Sequence, residues 1–140
     1  MKNYNIMWID DNINDPELIP DRESLEEMGC HITPVENADA ALIYTNTIQQ
    51  FDCIIIDLCM PLGKKLNTKE TRFGTRTGLI LTKRIKEKHP ESKIIIYSVF
   101  NAQDVSEYCR NNSGIYYLCK MDYLSDEFAE KVVNIIKGEL

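Results

Sequence analysis

Residues 54–61 read IIIDLCMP: three isoleucines in a row, then an aspartate, then a proline four residues on. With Cys53 ahead of them the isoleucines make a continuous apolar run, which suits a strand covered on both faces, as in a parallel sheet. An aspartate at the end of such a strand needs its charge answered, because an unpaired buried carboxylate is very costly. Pro61 helps to end the strand, since it cannot donate to a ladder. The run therefore demands a layered fold with helices on both sides, and whatever meets Asp57 decides the chemistry.

The rest of the chain supplies those layers. Residues 4–9 (YNIMWI) predict a first strand ending at Asp10 and Asp11. A helix is expected within 15–28, with Asp15 as N-cap and Pro16 at its first position; Pro20 should kink it or delay its start to Asp21, and Gly29 should stop it. Residues 30–35 predict a second strand, which Pro34 places at a sheet edge. In 38–50 the residues Ala38, Ala41, Leu42, Thr45 and Ile48 fall at helical spacing. The third strand is expected at 52–57. A helix at 78–88 should turn Leu79, Leu81 and Ile85 inward and end at His89-Pro90. The fourth strand is expected at 93–98, a helix at about 102–111 closed by Ser113-Gly114, and the fifth strand at 115–119. A last helix, about 123–138, should carry Tyr123, Phe128, Val132, Ile135 and Ile136 on one face. Strands alternating with helices predict an α/β fold: a doubly wound, five-stranded parallel sheet with right-handed crossovers.

Composition removes several functional classes. A chain of 140 residues fits one domain, and an apolar content of 44% argues against disorder. Sixteen basic residues against twenty-two acidic ones give −6, which disfavours polyanion binding by the molecule as a whole. Cys30, Cys53, Cys59, Cys109 and Cys119 are odd in number and form no CxxC, and His31 and His89 are far apart. That usage reads as reduced structural cysteine in a cytoplasmic protein, against disulfides or zinc. No signal peptide opens the chain, and no apolar stretch approaches the roughly 18 residues of a membrane span.

In a doubly wound sheet, ligands bind beyond the carboxyl ends of the strands, where the strand order reverses. Here the first strand ends in Asp10-Asp11, the third in Asp57, the fourth in Ser98 and the fifth in Lys120. With order 2-1-3-4-5, three carboxylates meet. Like charges that close cannot all stay ionised without a cation, and Mg²⁺ suits a shallow oxygen-rich site. Lys120 would add a second positive charge and Ser98 a hydroxyl. These are the parts needed to hold a phosphoryl group, with Asp57 as the nucleophile that forms an aspartyl phosphate.

On these residues the chain resembles a response-regulator receiver domain of two-component signalling, flavodoxin-like and similar to the chemotaxis regulator CheY, over nearly its whole length. The resemblance rests on Asp10-Asp11, the D-x-x-M-P of Asp57–Pro61, Ser98, Lys120, and Tyr117 three residues before the lysine. It implies that Asp57 accepts a phosphoryl group from a phosphohistidine of a sensor histidine kinase or histidine phosphotransfer protein. It also implies that Asp11, Asp57 and the carbonyl of Cys59 bind Mg²⁺ directly, with Asp10 helping through water. Ser98 and Tyr117 would be the switch pair, and the face of the fourth helix, fifth strand and fifth helix the output surface, with Val105, Tyr108 and Tyr117 exposed on it. Such a module would be a signalling phosphoacceptor, not an enzyme, and a monomer or a phosphorylation-dependent dimer.

Three positions depart from that pattern. Met121 follows Lys120 where the family has proline, often in a cis bond. A cis non-proline bond costs roughly 3 kcal/mol, so a trans bond or an altered loop is expected. Val99 and Phe100 are bulky where a small residue usually admits the phosphoryl group, which predicts a long-lived phosphoform. Between Pro61 and Gly78 lies an insert, residues 62–77, with Lys64, Lys65, Lys69, Arg72 and Arg76 against Glu70. Five basic residues against one acidic leave the insert at +4 and the remainder of the chain at −10. It reads either as a solvated loop or as a segment that orders on new negative charge or an acidic partner.

The favoured function is a stand-alone phosphorylation-controlled protein-binding module, since the chain ends just after the last helix. The alternatives are a fragment of a longer regulator with a DNA-binding or enzymatic output domain, and nucleotide or nucleic-acid binding through the insert, whose single aromatic Phe73 is a weak signal. A haloacid-dehalogenase-like phosphatase would want a second aspartate at position 59, which is Cys59.

Overall fold

Each strand of the sheet sends alternate side chains to opposite faces, and both faces are filled. A computed structural model describes residues 3–139. The five strands are β1 (Tyr4–Ile9), β2 (Cys30–Val35), β3 (Cys53–Ile56), β4 (Ile94–Ser98) and β5 (Ile115–Cys119). They run parallel in the order β2-β1-β3-β4-β5. Between them lie α1 (Ile19–Glu27), α2 (Ala38–Tyr44), α3 (Thr77–Lys88) and α4 (Gln103–Asn111), and α5 (Ser125–Lys137) follows β5. This is the flavodoxin-like arrangement expected from the sequence.

The period of two decides which helices each strand residue meets. Ile6, Trp8, Cys53, Ile55, Ile95 and Tyr97 face one way, into a core shared with Leu25 of α1 and Phe128, Val132 and Ile135 of α5. Met7, Ile9, Ile54, Ile56 and Ile94 face the other way, onto Ala38 and Ala41 of α2 and Leu81 and Ile85 of α3. Ile96 and Ile115 complete that side with Val105 of α4. Tyr97 stacks on Phe128 with ring centroids 4.0 Å apart. Pro34 sits on an edge strand, as its missing N–H requires. Among the described residues no helix is long and apolar enough to cross a membrane, and the five cysteines are free thiols.

Several boundaries differ from the sequence expectation. Asp15 precedes a short 3-10 turn, Pro16–Leu18, and Pro20 falls in the first turn of α1, where its missing N–H costs nothing, so it neither kinks nor delays the helix. Residues 45–50 tighten into a 3-10 turn instead of extending α2. The third strand stops at Ile56, one residue before Asp57. Tyr123 precedes α5 and packs on the core without being part of the helix. Val105, expected on the exposed face of α4, is fully buried against the sheet; Tyr108 and Tyr117 are half-buried.

Candidate phosphoacceptor site

Two backbone hydrogen bonds carry the ladder one residue past the strands. The Asp57 N–H donates to Ile9 O at 2.9 Å, and the Asp10 N–H to Val35 O at 3.0 Å. Both aspartates are thereby fixed at the same level beside each other, on neighbouring strands β1 and β3. Asp10 is fully buried and Asp57 is 7% exposed. Carboxylate oxygens of Asp10, Asp11 and Asp57 all lie within 4.8 Å of one another.

Lys120, at the end of β5, reaches across to this cluster. Its Nζ donates to Asp10 Oδ2 at 3.0 Å and lies 3.8 Å from Asp57 Oδ1. The other Asp10 oxygen accepts from the Asn12 N–H at 2.8 Å. The Lys120 ammonium also sits 5.6 Å from the centre of the Tyr97 ring, and the Tyr97 hydroxyl donates to Asp21 Oδ2 at 3.0 Å. Tyr97 was concealed in the sequence by its apolar run; a tyrosine one residue before Ser98 is the only sign of it.

One lysine against three carboxylates leaves the cluster negative. Burial first, and then the charge of Asp10, push the Asp57 carboxyl up to about 7, although Lys120 pulls the other way. Asp11 is raised for the same two reasons, in the same order. Hard oxygen donors, an excess of negative charge and mutual spacing of this kind fit a divalent cation such as Mg²⁺, so the residues present suit the ion expected from the sequence.

The loop after Asp57 is shaped by the start of α3. The Gly78 N–H donates to Leu58 O at 2.9 Å, and a Cβ on Gly78 would lie 2.1 Å from the Asp57 carbonyl oxygen. The buried Thr77 hydroxyl donates to Met60 O at 2.6 Å, and the Met60 N–H donates to Gly74 O at 3.1 Å. The Cys59 thiol contacts Thr75 O at 3.5 Å. Thr77 has no sequence signature beyond preceding Gly78.

The insert is accordingly an anchored strap and not a solvated loop. Leu66 enters the core beside α2 and α3, and Thr71 is fully buried. Asp39, in the first turn of α2, accepts the Lys64 and Lys65 N–H groups. Arg76 makes two bonds to Asp104 of α4, each 3.0 Å.

Ser98 and Tyr117, the switch pair expected from the sequence, make their hydrogen bonds away from the carboxylates. Ser98 is fully buried, and its hydroxyl accepts the Phe100 N–H at 3.3 Å. The Tyr117 hydroxyl donates to Phe100 O and accepts the Ala102 N–H at 2.9 Å, tying β5 to the loop before α4. The described residues contain no cis peptide bond. The Lys120–Met121 bond is therefore trans, and the two residues open a 3-10 turn, Lys120–Asp122. A cavity of about 580 Å³ opens beside Asp57, with Val99, Phe100, Met121 and Leu124 at its rim.

No protein-family model matches the chain, and no curated protein matches it. Solved structures do. The isolated REC domain of RcsB from Salmonella enterica serovar Typhimurium, in the presence of phosphomimetic BeF3−, superposes with a TM-score of 0.75 at 21% identity, covering 99% of this chain and 91% of that one. The Francisella response regulator 1452 receiver domain gives 0.72 at 22%, covering 99% and 100%. A response regulator from Thermotoga maritima gives 0.71 at 19%, covering 97% and 99%. Over nearly its whole length the chain has the fold of response-regulator receiver domains.

Proposed function

We propose, from this shared fold and the site it carries, that the protein is a phosphoacceptor that receives a phosphoryl group on Asp57. The observation that supports this most is the cluster itself: three carboxylates within 4.8 Å of one another, with Lys120 held between Asp10 and Asp57. An Asp57 oxygen attacks the phosphorus of a phosphohistidine on a sensor kinase or phosphotransfer protein. The P–N bond breaks, its electron pair returns to the imidazole, and that ring takes up a proton from solvent. The product is an acyl phosphate on Asp57.

The roles follow from position. Lys120 balances charge on the transferring oxygens while remaining anchored to Asp10. Asp11, Asp57 and the Cys59 carbonyl would hold Mg²⁺, with Asp10 assisting through water; the ion when bound neutralises the carboxylates and the phosphoryl oxygens. The apolar rim of Val99, Phe100, Met121 and Leu124 offers a docking surface for the phosphodonor protein. Output passes through Ser98 and Tyr117, because Tyr117 already grips the loop before α4 through Phe100 and Ala102. A phosphorylation-dependent shift of that loop would re-present the half-buried Tyr108 and Tyr117 to a protein partner.

The direct test is labelling with a small phosphodonor such as phosphoramidate in the presence of Mg²⁺. The wild type should gain one hydroxylamine-labile phosphoryl group and Asp57→Asn none; equal labelling of the two proteins places the acceptor elsewhere. The half-exposed Val99 and Phe100 beside Asp57 favour slow entry of attacking water, so the phosphoform should be long-lived. Hydrolysis within seconds would exclude that role for them.

A further inference from the structure

We propose that Phe73, at the tip of the insert, docks into the cavity beside Asp57 of a second copy of this chain. The starting observation is a residue the fold does not use. Phe73 is 85% exposed, although the segment carrying it is firmly held by Leu66, Asp39 and Asp104. Arg72 and Phe73 moreover adopt φ of +49° and +57°. Bulky residues rarely take up this left-handed conformation, and it persists only where surrounding contacts enforce it. Those contacts are present: the Phe73 N–H donates to Thr68 O at 3.0 Å, and the Arg76 N–H to Thr71 O at 2.7 Å. The chain thus spends conformational strain to hold an aromatic ring out in water.

The surroundings of the ring define what would cover it. Arg72 beside it is largely exposed, and the insert carries +4 against −10 on the rest of the chain. The complement is an apolar recess bordered by acid, and the molecule possesses one. Seven large apolar side chains are exposed among the described residues: four of them (Val99, Phe100, Met121, Leu124) rim the cavity beside Asp57, and Phe73 is a fifth. Asp15, Glu17 and Asp21 line the same cavity, and the one cation among its described residues, Lys120, is paired with Asp10. Its volume of about 580 Å³ is ample for a phenyl ring. Within one molecule the ring remains exposed, so the pairing is between copies. A nucleic acid is a poorer match, because the remainder of the chain would repel a polyanion along its length.

A single ring in a recess is a small contact, of the weak and concentration-dependent class. It would also cover Asp57, so that self-association and phosphodonor access compete. The inference goes beyond the phosphoacceptor reading and is tested by mass alone. Sedimentation velocity from micromolar to millimolar protein in low-salt buffer should show association that weakens as salt is raised. Phe73→Ser removes the ring and leaves the recess; Leu124→Ser alters the recess and leaves the ring. Each variant alone should associate at least tenfold more weakly than wild type. An equimolar mixture of the two should recover association, because it restores one intact ring and one intact recess. A wild type that stays monomeric throughout, variants that associate like wild type, or a mixture that fails to recover would each overturn the proposal. Binding of a single-stranded oligonucleotide that Phe73→Ser abolishes, with the wild type monomeric, would assign the ring to nucleic acid instead.

Discussion

Without a cation, Asp57 gives up its proton only near pH 7, because burial and the neighbouring Asp10 charge oppose ionisation more than Lys120 assists it. Its folded pKa lies above the unfolded value of 3.8, so the folded state binds the extra proton. Stability from this group is therefore full below about pH 4 and is lost as pH rises through 7. Asp57→Asn removes that loss. In chelator, thermal and urea unfolding should show the variant more stable than wild type at pH 8, and its advantage should shrink by roughly 2 kcal/mol at pH 5. An advantage independent of pH would mean that the Asp57 charge is already answered inside the protein. At this scale the residues Asp10, Asp11, Asp57 and Lys120 were legible from their places at strand ends. Tyr97 was not, because nothing in IIIYS distinguishes a core tyrosine from one whose ring lies under a lysine.

Elements are joined to the site mainly through the start of α3. A methyl group at position 78 would sit 2.1 Å from the Asp57 carbonyl, with backbone on both sides of the clash. Gly78→Ala should therefore destabilise the fold by roughly 2 kcal/mol or more, and should slow labelling of Asp57 as well, since the helix can move only by moving the loop after Asp57. Labelling at the wild-type rate in a folded Gly78→Ala protein would show that the loop is independent of α3. The strap responds differently. Asp104 is well exposed, so Asp104→Ala should cost less than about 1 kcal/mol of global stability. It releases Arg76 and Arg72, however, and trypsin should then cut the insert several-fold faster. Unchanged cleavage would mean that Leu66, Thr71 and Asp39 anchor it unaided. The basic composition of residues 62–77 suggested a solvated loop because charge pattern records polarity and not anchoring; Leu66 and Thr71 find their burial only once α2 and α3 are in place.

For the molecule as a whole, the excess of negative charge at one end of the sheet predicts stabilisation by a divalent cation. Mg²⁺ at a hundred times its dissociation constant should add about 2.7 kcal/mol, or roughly 8 °C in Tm. Asp11→Asn, which removes one exposed carboxylate of the cluster and no core contact, should abolish most of that shift. A shift that survives would place the cation elsewhere. The sequence by itself determined the layered sheet and the clustering of its acids: apolar runs such as CIII and IIIY cannot be satisfied except between two helical layers, and alternation of strand and helix fixes which strand ends converge. Tertiary structure alone decided the rest. Val105 turned inward because α4 must cover Ile96 and Ile115. Lys120 reaches past the end of β3 to pair with Asp10 at the end of β1 more closely than with Asp57, a pairing that exists only once the sheet has brought these strand ends together. The insert became a strap with Phe73 at its exposed tip because its partners, Asp39, Met60 and Asp104, come from three separate parts of the chain, and such long-range contacts leave no local period to read.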